Sequence, residues 1–388
     1  MTEPVAYGQG TLAAGISSRL LPDINGLTMH VLEAGHEHAS RPLVLLLHGF
    51  PELAYSWRKV MPALAEAGYH VVAPDQRGYG RTTGWSADYD GELRPFGMLN
   101  LATDILALVN ALGYRTASAV VGHDFGSPVA AWCALTRPDV FRSAVMMSAP
   151  WGGPPALPSS GQRSAASSMP AVTIHEQLAA LPRPRKHYHW YYSTREANAD
   201  MWHAQQGVHD FLRAYYHYKS ADWNNNRPFR LSGWTADELA KMPTYYIMDR
   251  DQTMAEAVAS EMPSPAQIAS CKWLTEDELR VYSGEYQRLG FQGGLQWYRC
   301  RTDPAQTREL QLFSGRTIDV PTAFIGGSSD WGVYQKPGDY ESMQSGSCSQ
   351  LVGCHLIEGA GHWVQQEQAG KVSGLLIDFL RRHAPQKA

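Results

Sequence analysis

The chain has little excess of charge of either sign. Its 388 residues include 33 Lys and Arg and 37 Asp and Glu, so the formal net charge is −4, and charged residues make up 18% of the total. Proteins that bind nucleic acid or anionic membrane surfaces usually show a clear excess of positive charge. The composition therefore points away from both partners and towards an ordinary globular protein.

Cysteine and long apolar stretches are scarce too. The five cysteines are an odd number and none of them forms a C-x-x-C pair, which is typical of reduced thiols in the cytoplasm. No apolar run is long enough to span a bilayer. Residues 1–5 (MTEPV) lack the basic start of a signal peptide. We therefore expect a cytoplasmic protein without a membrane span.

Short apolar runs alternate with helical patterns in the first part of the chain. Residues 43–47 (LVLLL) form a continuous apolar run, as expected of a strand buried on both faces of a parallel sheet. Similar patterns predict strands at residues 27–32, 69–74, 117–121 and 143–148, and helices at residues 57–67 and 99–112. This order predicts an α/β fold with a mostly parallel sheet flanked by helices.

The alternation stops at Pro150. Residues 150–160 (PWGGPPALPSS) have the composition of a linker. The chain from about 170 to 310 is rich in aromatic residues and reads as helices without buried strands. Capping-box patterns at residues 235–238 and 275–278 mark two of the helix starts. The segment is therefore predicted to be a helical insertion.

The α/β pattern returns near residue 320. Strands are predicted at residues 320–326 and 354–358, and a final amphipathic helix at about residues 364–382. The predicted organisation is a core made of residues 1–149 and 312–388, with a helical lid at residues 150–311 between the two parts. Because ligands bind at the carboxyl ends of parallel strands, the lid is expected to cover that edge of the sheet.

The most informative motif is GHDFG at residues 122–126. It follows a predicted strand and precedes a predicted helix, which is the setting of a nucleophile elbow. The usual serine of G-x-S-x-G is replaced by Asp124. A carboxylate can displace a leaving group at saturated carbon and form an ester. Asp124 is therefore the candidate nucleophile.

Two aromatic residues are placed to supply backbone donors. Phe50 lies in the HGFPE turn of residues 48–52, and its peptide bond to Pro51 is compatible with a cis form. Phe125 directly follows the nucleophile. The amides of Phe50 and Phe125 are predicted to form an oxyanion hole. His48 and His123 are interpreted as residues that fix the neighbouring loops.

Three further loops follow predicted strands. Asp330 lies after the strand at residues 320–326, and His362 lies in a GAGHW motif before the last helix. The chain order nucleophile, acid, histidine is that of α/β-hydrolases. His362 is thus the candidate base and Asp330 its orienting acid. The third loop, DQRGYG at residues 75–80, is predicted to be structural, with Asp–Arg pairing.

These motifs together resemble the epoxide hydrolase branch of the α/β-hydrolases. The resemblance covers the core from about residue 25 to the C-terminus, and residues 285–299 (EYQRLGFQGGLQWYR) are similar to the lid segment of that branch. It implies two lid tyrosines that polarise and protonate an epoxide oxygen. Tyr282, just before that segment, and Tyr188, in the YHWYY run, are the candidates. Tyr191 and Tyr192 are alternatives to Tyr188.

The resemblance implies hydrolysis of an epoxide by water to a vicinal diol, through an ester on Asp124. No metal or organic cofactor is implied, and a homodimer is compatible with the exposed lid. The remaining predicted pocket residues are His48, Pro51, Trp151, Tyr191, Tyr192 and Trp363. The role of residues 202–263, a long aromatic part of the lid, is not predicted.

Several other functions fit parts of the pattern. A dehalogenase of the same fold would use the same Asp–His–Asp residues but needs N–H donors for the halide, and haloacid enzymes often carry arginine where Phe125 stands. An esterase or lactonase normally needs a serine in place of Asp124. A cofactor-free oxygenase and a binding module without catalysis are further alternatives.

Overall fold

The computed structural model describes residues 7–8, 10–38, 40–157 and 173–383. Within these residues the strands, numbered in chain order, are β1 Ile16–Ile24, β2 Leu27–Ala34, β3 Leu43–Leu47, β4 His70–Pro74, β5 Ala119–His123, β6 Ala144–Met147, β7 Arg185–His187, β8 Ile247–Asp249, β9 Thr322–Gly327 and β10 Leu351–Ile357. All but β7 and β8 form one sheet, in the order β1-β2-β4-β3-β5-β6-β9-β10.

The sheet is parallel from β4 to β10 and antiparallel only where β1 and β2 join it. The predicted mostly parallel sheet is therefore confirmed. β3, β4, β5 and β6 are buried along their whole length, since helices cover both faces of the sheet. β1 was not predicted from the sequence, because its ISSRLLPDI run carries mostly polar or exposed side chains.

Helices flank the sheet and build the insertion. The α-helices are α1 Met61–Glu66, α2 Met98–Ala111, α3 Gly126–Thr136, α4 Ile174–Ala179, α5 Tyr188–Tyr192, α6 Glu196–Trp202, α7 Gly207–Lys219, α8 Ala236–Leu239, α9 Met254–Ala259, α10 Pro265–Ser270, α11 Glu276–Leu289, α12 Gln292–Thr302, α13 Pro304–Leu310, α14 Asp339–Ser342, α15 Val364–Glu367 and α16 Ala369–His383. Short 3-10 turns occur at Ala54–Trp57, Arg94–Phe96, Gln311–Phe313 and Trp331–Val333, and a π turn at Met343–Ser347. None of the helices in the described part of the chain is both long and apolar enough to cross a bilayer.

The insertion is mostly helical, as predicted, but it also contains strands. β7 and β8 pair antiparallel, and they were missed because each has only three residues and β7 reads Arg-Lys-His. The capping box at Thr275 forms in full, whereas Thr235 makes no side-chain cap. Part of the predicted linker lies in residues 158–172, outside the described residues.

A buried ion pair joins the lid to the core. The guanidinium of Arg58, after the first 3-10 turn, lies 3.0 Å from the carboxylate of Glu278 on α11, and the Arg58 side chain is 1% exposed. Lys59 Nζ contacts the same carboxylate at 3.0 Å. Removing one partner of such a pair leaves a buried charge, which is strongly destabilising. The pair therefore fixes how α11 sits on the core.

The DQRGYG turn makes ionic contacts with neighbouring parts of the core. Asp75 contacts the His30 ring at 2.7 Å and accepts the Arg81 backbone N–H at 3.0 Å. Arg77 pairs with Asp104 on α2 at 2.8 Å. The turn thus holds its neighbours through an Asp–Arg pair, formed by Arg77 with Asp104, and through the contacts of Asp75.

Candidate active site

Asp124 occupies a strained turn between β5 and α3. Its φ is +50°, in the left-handed region that residues with a side chain rarely adopt. The neighbouring glycines make the turn sterically feasible: a Cβ at Gly122 would lie 1.9 Å from the carbonyl oxygen of Gly126. The sequence pattern and the backbone thus agree that the chain places the Asp124 side chain at the carboxyl end of β5.

Two groups approach the Asp124 carboxylate directly. The backbone N–H of Phe50 donates to Oδ1 at 3.0 Å, and the Phe50–Pro51 peptide bond is cis. Nε2 of His362 lies 3.3 Å from Oδ2. Gly49 leaves the necessary space, since a Cβ there would lie 2.4 Å from the Asp124 Cβ. Phe125 directly precedes α3 as its N-cap residue, and a role for its amide in the oxyanion hole stays a prediction.

His362 is held from its far side by Asp330. Its Nδ1 lies 3.0 Å from Asp330 Oδ1, and the same oxygen accepts the Gly332 N–H at 2.7 Å. Burial would raise the pKa of Asp330, but the charge and hydrogen bond of His362 outweigh it, so the pKa lies below its usual range. Asp330 is therefore ionised and orients the imidazole.

The electrostatic environment keeps Asp124 ionised. Burial opposes the charged form, yet the contact with His362, together with the charges of Lys219 and His123, lowers the pKa of Asp124 below its usual range. An ionised carboxylate in this turn can attack carbon as a nucleophile.

A second histidine–carboxylate pair lies behind the first. His123 Nδ1 is 2.6 Å from Glu52 Oε2, and its Nε2 donates to the backbone carbonyl of His362 at 2.7 Å. All three side chains are buried. Burial alone would lower the pKa of His123, but the charge and hydrogen bond of Glu52, with smaller contributions from other neighbours, together outweigh it. The pKa of His123 therefore lies above its usual value. From the sequence, His123 was interpreted as a residue that supports the site or fixes its loops and does not itself react. Glu52 was not singled out, although it lies in the HGFPE motif.

A cavity of about 520 Å³ opens in front of Asp124. Asp124 and Phe125 line its floor on the core side, and Tyr188 of α5 and Tyr298 of α12 line it from the lid. The Tyr298 ring packs edge-on against Phe125, with ring centroids 5.1 Å apart. Tyr298 was not singled out from the sequence. The available signal was its place in the lid segment of residues 285–299.

The placement of Tyr282 corrects the sequence-based assignment. Its hydroxyl lies 2.8 Å from Ser56 Oγ and 3.1 Å from Gln366 Oε1. It therefore belongs to the buried joint between lid and core, and it is not among the residues that line the Asp124 cavity. The capping box at residues 275–278 marks the start of the helix that carries Tyr282, but a local pattern cannot show which way that face of the helix points.

The remaining predicted pocket residues separate into two groups. Trp151 lines the cavity. The others do not, and their polar atoms are engaged elsewhere: His48 accepts the Gln76 N–H, Pro51 accepts the Tyr216 hydroxyl, Tyr191 donates to Asp200, Tyr192 donates to Tyr215, and Trp363 donates to the Tyr216 carbonyl. The assignment of these five residues to the substrate pocket stays a prediction. In the described ranges, no group of three or more His, Cys, Asp and Glu side chains could hold a metal ion.

Known proteins similar to this chain are epoxide hydrolases of the alpha/beta hydrolase fold. Residues 42–369 match the family model of the alpha/beta hydrolase fold. Epoxide hydrolase A of Mycobacterium tuberculosis is 32% identical over 94% of this chain and 98% of its own length, and epoxide hydrolase 2 of Siraitia grosvenorii is 27% identical over 92% and 96%. The chain belongs to the epoxide hydrolase branch of the α/β-hydrolase family.

Solved structures of this branch share the whole fold. An epoxide hydrolase from an endophytic Streptomyces superposes with a TM-score of 0.74 and is 32% identical, with 96% of this chain and 98% of the other covered. Potato (Solanum tuberosum) epoxide hydrolase I gives a TM-score of 0.71 and 29% identity, covering 95% and 99%. The likeness spans the lid as well as the core, so the insertion is part of the family architecture.

Proposed function

We propose that this protein is an epoxide hydrolase that adds water to a small-molecule epoxide and releases a vicinal diol. The observation that carries the proposal is the shared cavity: Asp124 lies on its floor, and Tyr188 and Tyr298 line it from the lid. A nucleophile facing two phenols suits a leaving group that is an oxygen and must be protonated. The names of the relatives support the same reaction.

Both phenols are in the protonated form that the reaction needs. Burial and the nearby Asp124 charge raise the pKa of Tyr298 and of Tyr188 well above the usual value. The Tyr188 hydroxyl also donates to Gln335 Oε1 at 2.8 Å, which fixes its position. Tyr298 replaces Tyr282 in the proposed pair.

The first step opens the ring. An Asp124 carboxylate oxygen attacks one epoxide carbon, the C–O bond breaks, and a phenol of Tyr188 or Tyr298 protonates the departing oxygen. The product is a hydroxyalkyl ester of Asp124. The pKa of Asp124, held low by His362 and other cations, favours the ionised nucleophile.

The second step hydrolyses the ester. His362 removes a proton from water, whose oxygen attacks the ester carbonyl carbon of Asp124. The resulting oxyanion rests on the Phe50 N–H, which lies 3.0 Å from Oδ1, and on the predicted Phe125 N–H. Asp330 stabilises the imidazolium from Nδ1. Collapse expels the ester oxygen of the diol, which takes the proton from the His362 imidazolium. The proton left on the Asp124 carboxyl returns to the lid phenolate, so that the diol leaves and both groups are restored.

A dehalogenase of the same fold is the competing function. It would need free N–H donors for the departing halide beside Asp124. The indole of Trp297, which lines the cavity next to Tyr298, donates instead to the Arg77 carbonyl at 2.9 Å. That indole is therefore not available to a halide, whereas the two phenols suit an oxygen.

Two variants test the proposed reaction on styrene oxide. Asp124→Ala should abolish diol formation, and His362→Gln should accumulate a covalent adduct, seen as added mass on the intact protein. Asp139→Ala, an exposed residue paired only with Arg137, is the control and should keep full activity. Full activity in Asp124→Ala would overturn the proposal. Bromide release from a bromoalkane without any diol formation would favour the dehalogenase.

A homodimer and a cytoplasmic location complete the proposal. Both stay predictions from the sequence, and size-exclusion chromatography with light scattering would test the first.

A further inference from the structure

Two cations line the Asp124 cavity beside the lid tyrosines. They are Arg301, at the end of α12, and Lys336, which precedes α14. The guanidinium carbon of Arg301 lies 5.8 Å from the centroid of the Phe125 ring. Because Phe125 directly follows the nucleophile, the guanidinium and Asp124 line the same cavity on either side of this ring.

Apart from the contact with the Phe125 ring, the Arg301 guanidinium has no partner within residues 7–8, 10–38, 40–157 and 173–383: no hydrogen bond or ion pair there involves it. Its side chain is exposed. Arginine is a fork of N–H donors that matches the two oxygens of a carboxylate. An unpaired guanidinium beside a mostly enclosed apolar site is therefore suited to an anionic ligand.

The two cations of this cavity differ in their pairing. Lys336 Nζ pairs with Asp339 at 2.7 Å, whereas Arg301 forms no ion pair within the described residues. Glu309 and Asp339 contribute carboxylates to the same lining. Arg301 is therefore the cation of this lining whose N–H groups are open to a carboxylate of a ligand.

The rest of the lining is suited to an apolar body. Phe96, Met98, Leu101, Trp132, Trp151 and Leu310 contribute apolar surface to the same cavity. Sites of this kind bury the carbon skeleton of a ligand and fix its orientation with a few polar groups. Asp124 with the two phenols fixes one end of the ligand, and Arg301 with Lys336 can fix another.

We propose that the preferred substrates are epoxides that carry a carboxylate, joined to the epoxide by a short apolar spacer, with the carboxylate paired to Arg301 and Lys336. This inference rests on the proposed function, because it assigns the substrate class of the same site. The carboxylate takes the Arg301 guanidinium as its main partner, and Lys336 is the second cation of the same lining. The spacer packs along Phe125 and the apolar wall.

The test compares two probes that differ only in charge. The kcat/KM for 4-(oxiran-2-yl)benzoate and for its methyl ester is measured with the wild type and with the Arg301→Gln and Lys336→Gln variants. Arg308→Gln is the matched control, because Arg308 is also exposed, without an ion pair in the described chain, and absent from the cavity lining.

Wild type should show a higher kcat/KM for the acid than for the ester. Arg301→Gln should lower kcat/KM for the acid on the order of tenfold to a hundredfold, the usual effect of a charge-assisted hydrogen bond, and leave the ester unchanged. Lys336→Gln should act in the same direction with a smaller effect, since Asp339 already shares that charge. Rising salt should reduce the preference of the wild type. Equal effects on acid and ester, or no effect on either, would overturn the inference.

A binding measurement separates this inference from the proposed reaction. 4-Ethylbenzoate and 4-ethylbenzamide lack the epoxide, and their affinities for the same proteins are measured by calorimetry. Tighter binding of the benzoate that is lost in Arg301→Gln supports the anion site even if neither epoxide is hydrolysed. Equal affinity for the two in the wild type overturns the anion site even if both epoxides are hydrolysed.

Discussion

Nε2 of His123 donates a hydrogen bond to the backbone carbonyl of His362, at 2.7 Å. The candidate base, His362, is thus held at two points: His123 bonds its backbone carbonyl, and Asp330 bonds its ring. His123 is in turn held by Glu52, whose other oxygen accepts amide N–H groups of Gln365 and Gln366. This connects the turn that carries the Phe50 amide to the loop that carries the base.

Glu52→Gln should therefore weaken both stability and the second chemical step. Losing one partner of a buried ion pair costs about 3–5 kcal/mol, to be measured by urea unfolding. Ester hydrolysis should slow more than ester formation, as measured in single-turnover experiments, because the base moves relative to the ester. The exposed Glu66→Gln serves as control. An unchanged hydrolysis rate would show that Glu52 does not position His362.

The lid tyrosines can be distinguished by three single substitutions to phenylalanine. Tyr188→Phe and Tyr298→Phe should each slow ester formation by at least tenfold, since general acid catalysis contributes about 10²–10⁴ in rate. Tyr282→Phe should leave that rate nearly unchanged and lower stability by about 1 kcal/mol, because its hydroxyl bonds Ser56 and Gln366. A Tyr282→Phe variant that loses ester formation while Tyr298→Phe keeps it would restore the original assignment.

Gly49 should accept no side chain. A Cβ there would lie 2.4 Å from the Asp124 Cβ, so Gly49→Ala must displace the nucleophile, and a shift of about 1 Å can cost on the order of a hundredfold in rate. Gly284 on α11 has open space around it. Gly284→Ala should keep full activity and raise the free energy of unfolding by about 0.5–1 kcal/mol. Steady-state kinetics and thermal unfolding of both variants check this.

Asp75 should make stability depend on pH in the acid range. Burial raises the pKa of this carboxyl, but the His30 ring and other partners outweigh it, so the pKa falls to about 2. The carboxylate's contribution is present above its unfolded pKa, near 4, and is lost as the pH falls through about 2. It amounts to about 2 kcal/mol.

Urea unfolding of the wild type and of Asp75→Asn between pH 2 and 6 measures this contribution. The variant should be less stable at pH 6 and should show a shallower loss of stability below pH 4. Parallel curves for the two proteins would mean that other carboxylates account for the acid sensitivity.

The core and its chemistry were readable in the sequence because both depend on local patterns. Continuous apolar runs mark β3 and β5, and the small residues of GHDFG permit the positive φ of Asp124. The order of Asp124, Asp330 and His362 along the chain reflects strand ends that must meet at one edge of a parallel sheet. These features need no knowledge of how distant segments pack.

Tertiary packing decided which side chains face the cavity. Tyr282 and Tyr298 lie on neighbouring lid helices with similar aromatic surroundings. The ion pair of Arg58 docks α11 on the core, so that Tyr282 faces the buried contact between lid and core, whereas Tyr298 faces the cavity. The unpaired charge of Arg301 is likewise invisible in the sequence, since pairing depends on residues far along the chain. The sequence by itself determined the nucleophile, because backbone strain and glycine spacing are local. The shape and charge of the site above it came from contacts between the lid and the core, which no local pattern encodes.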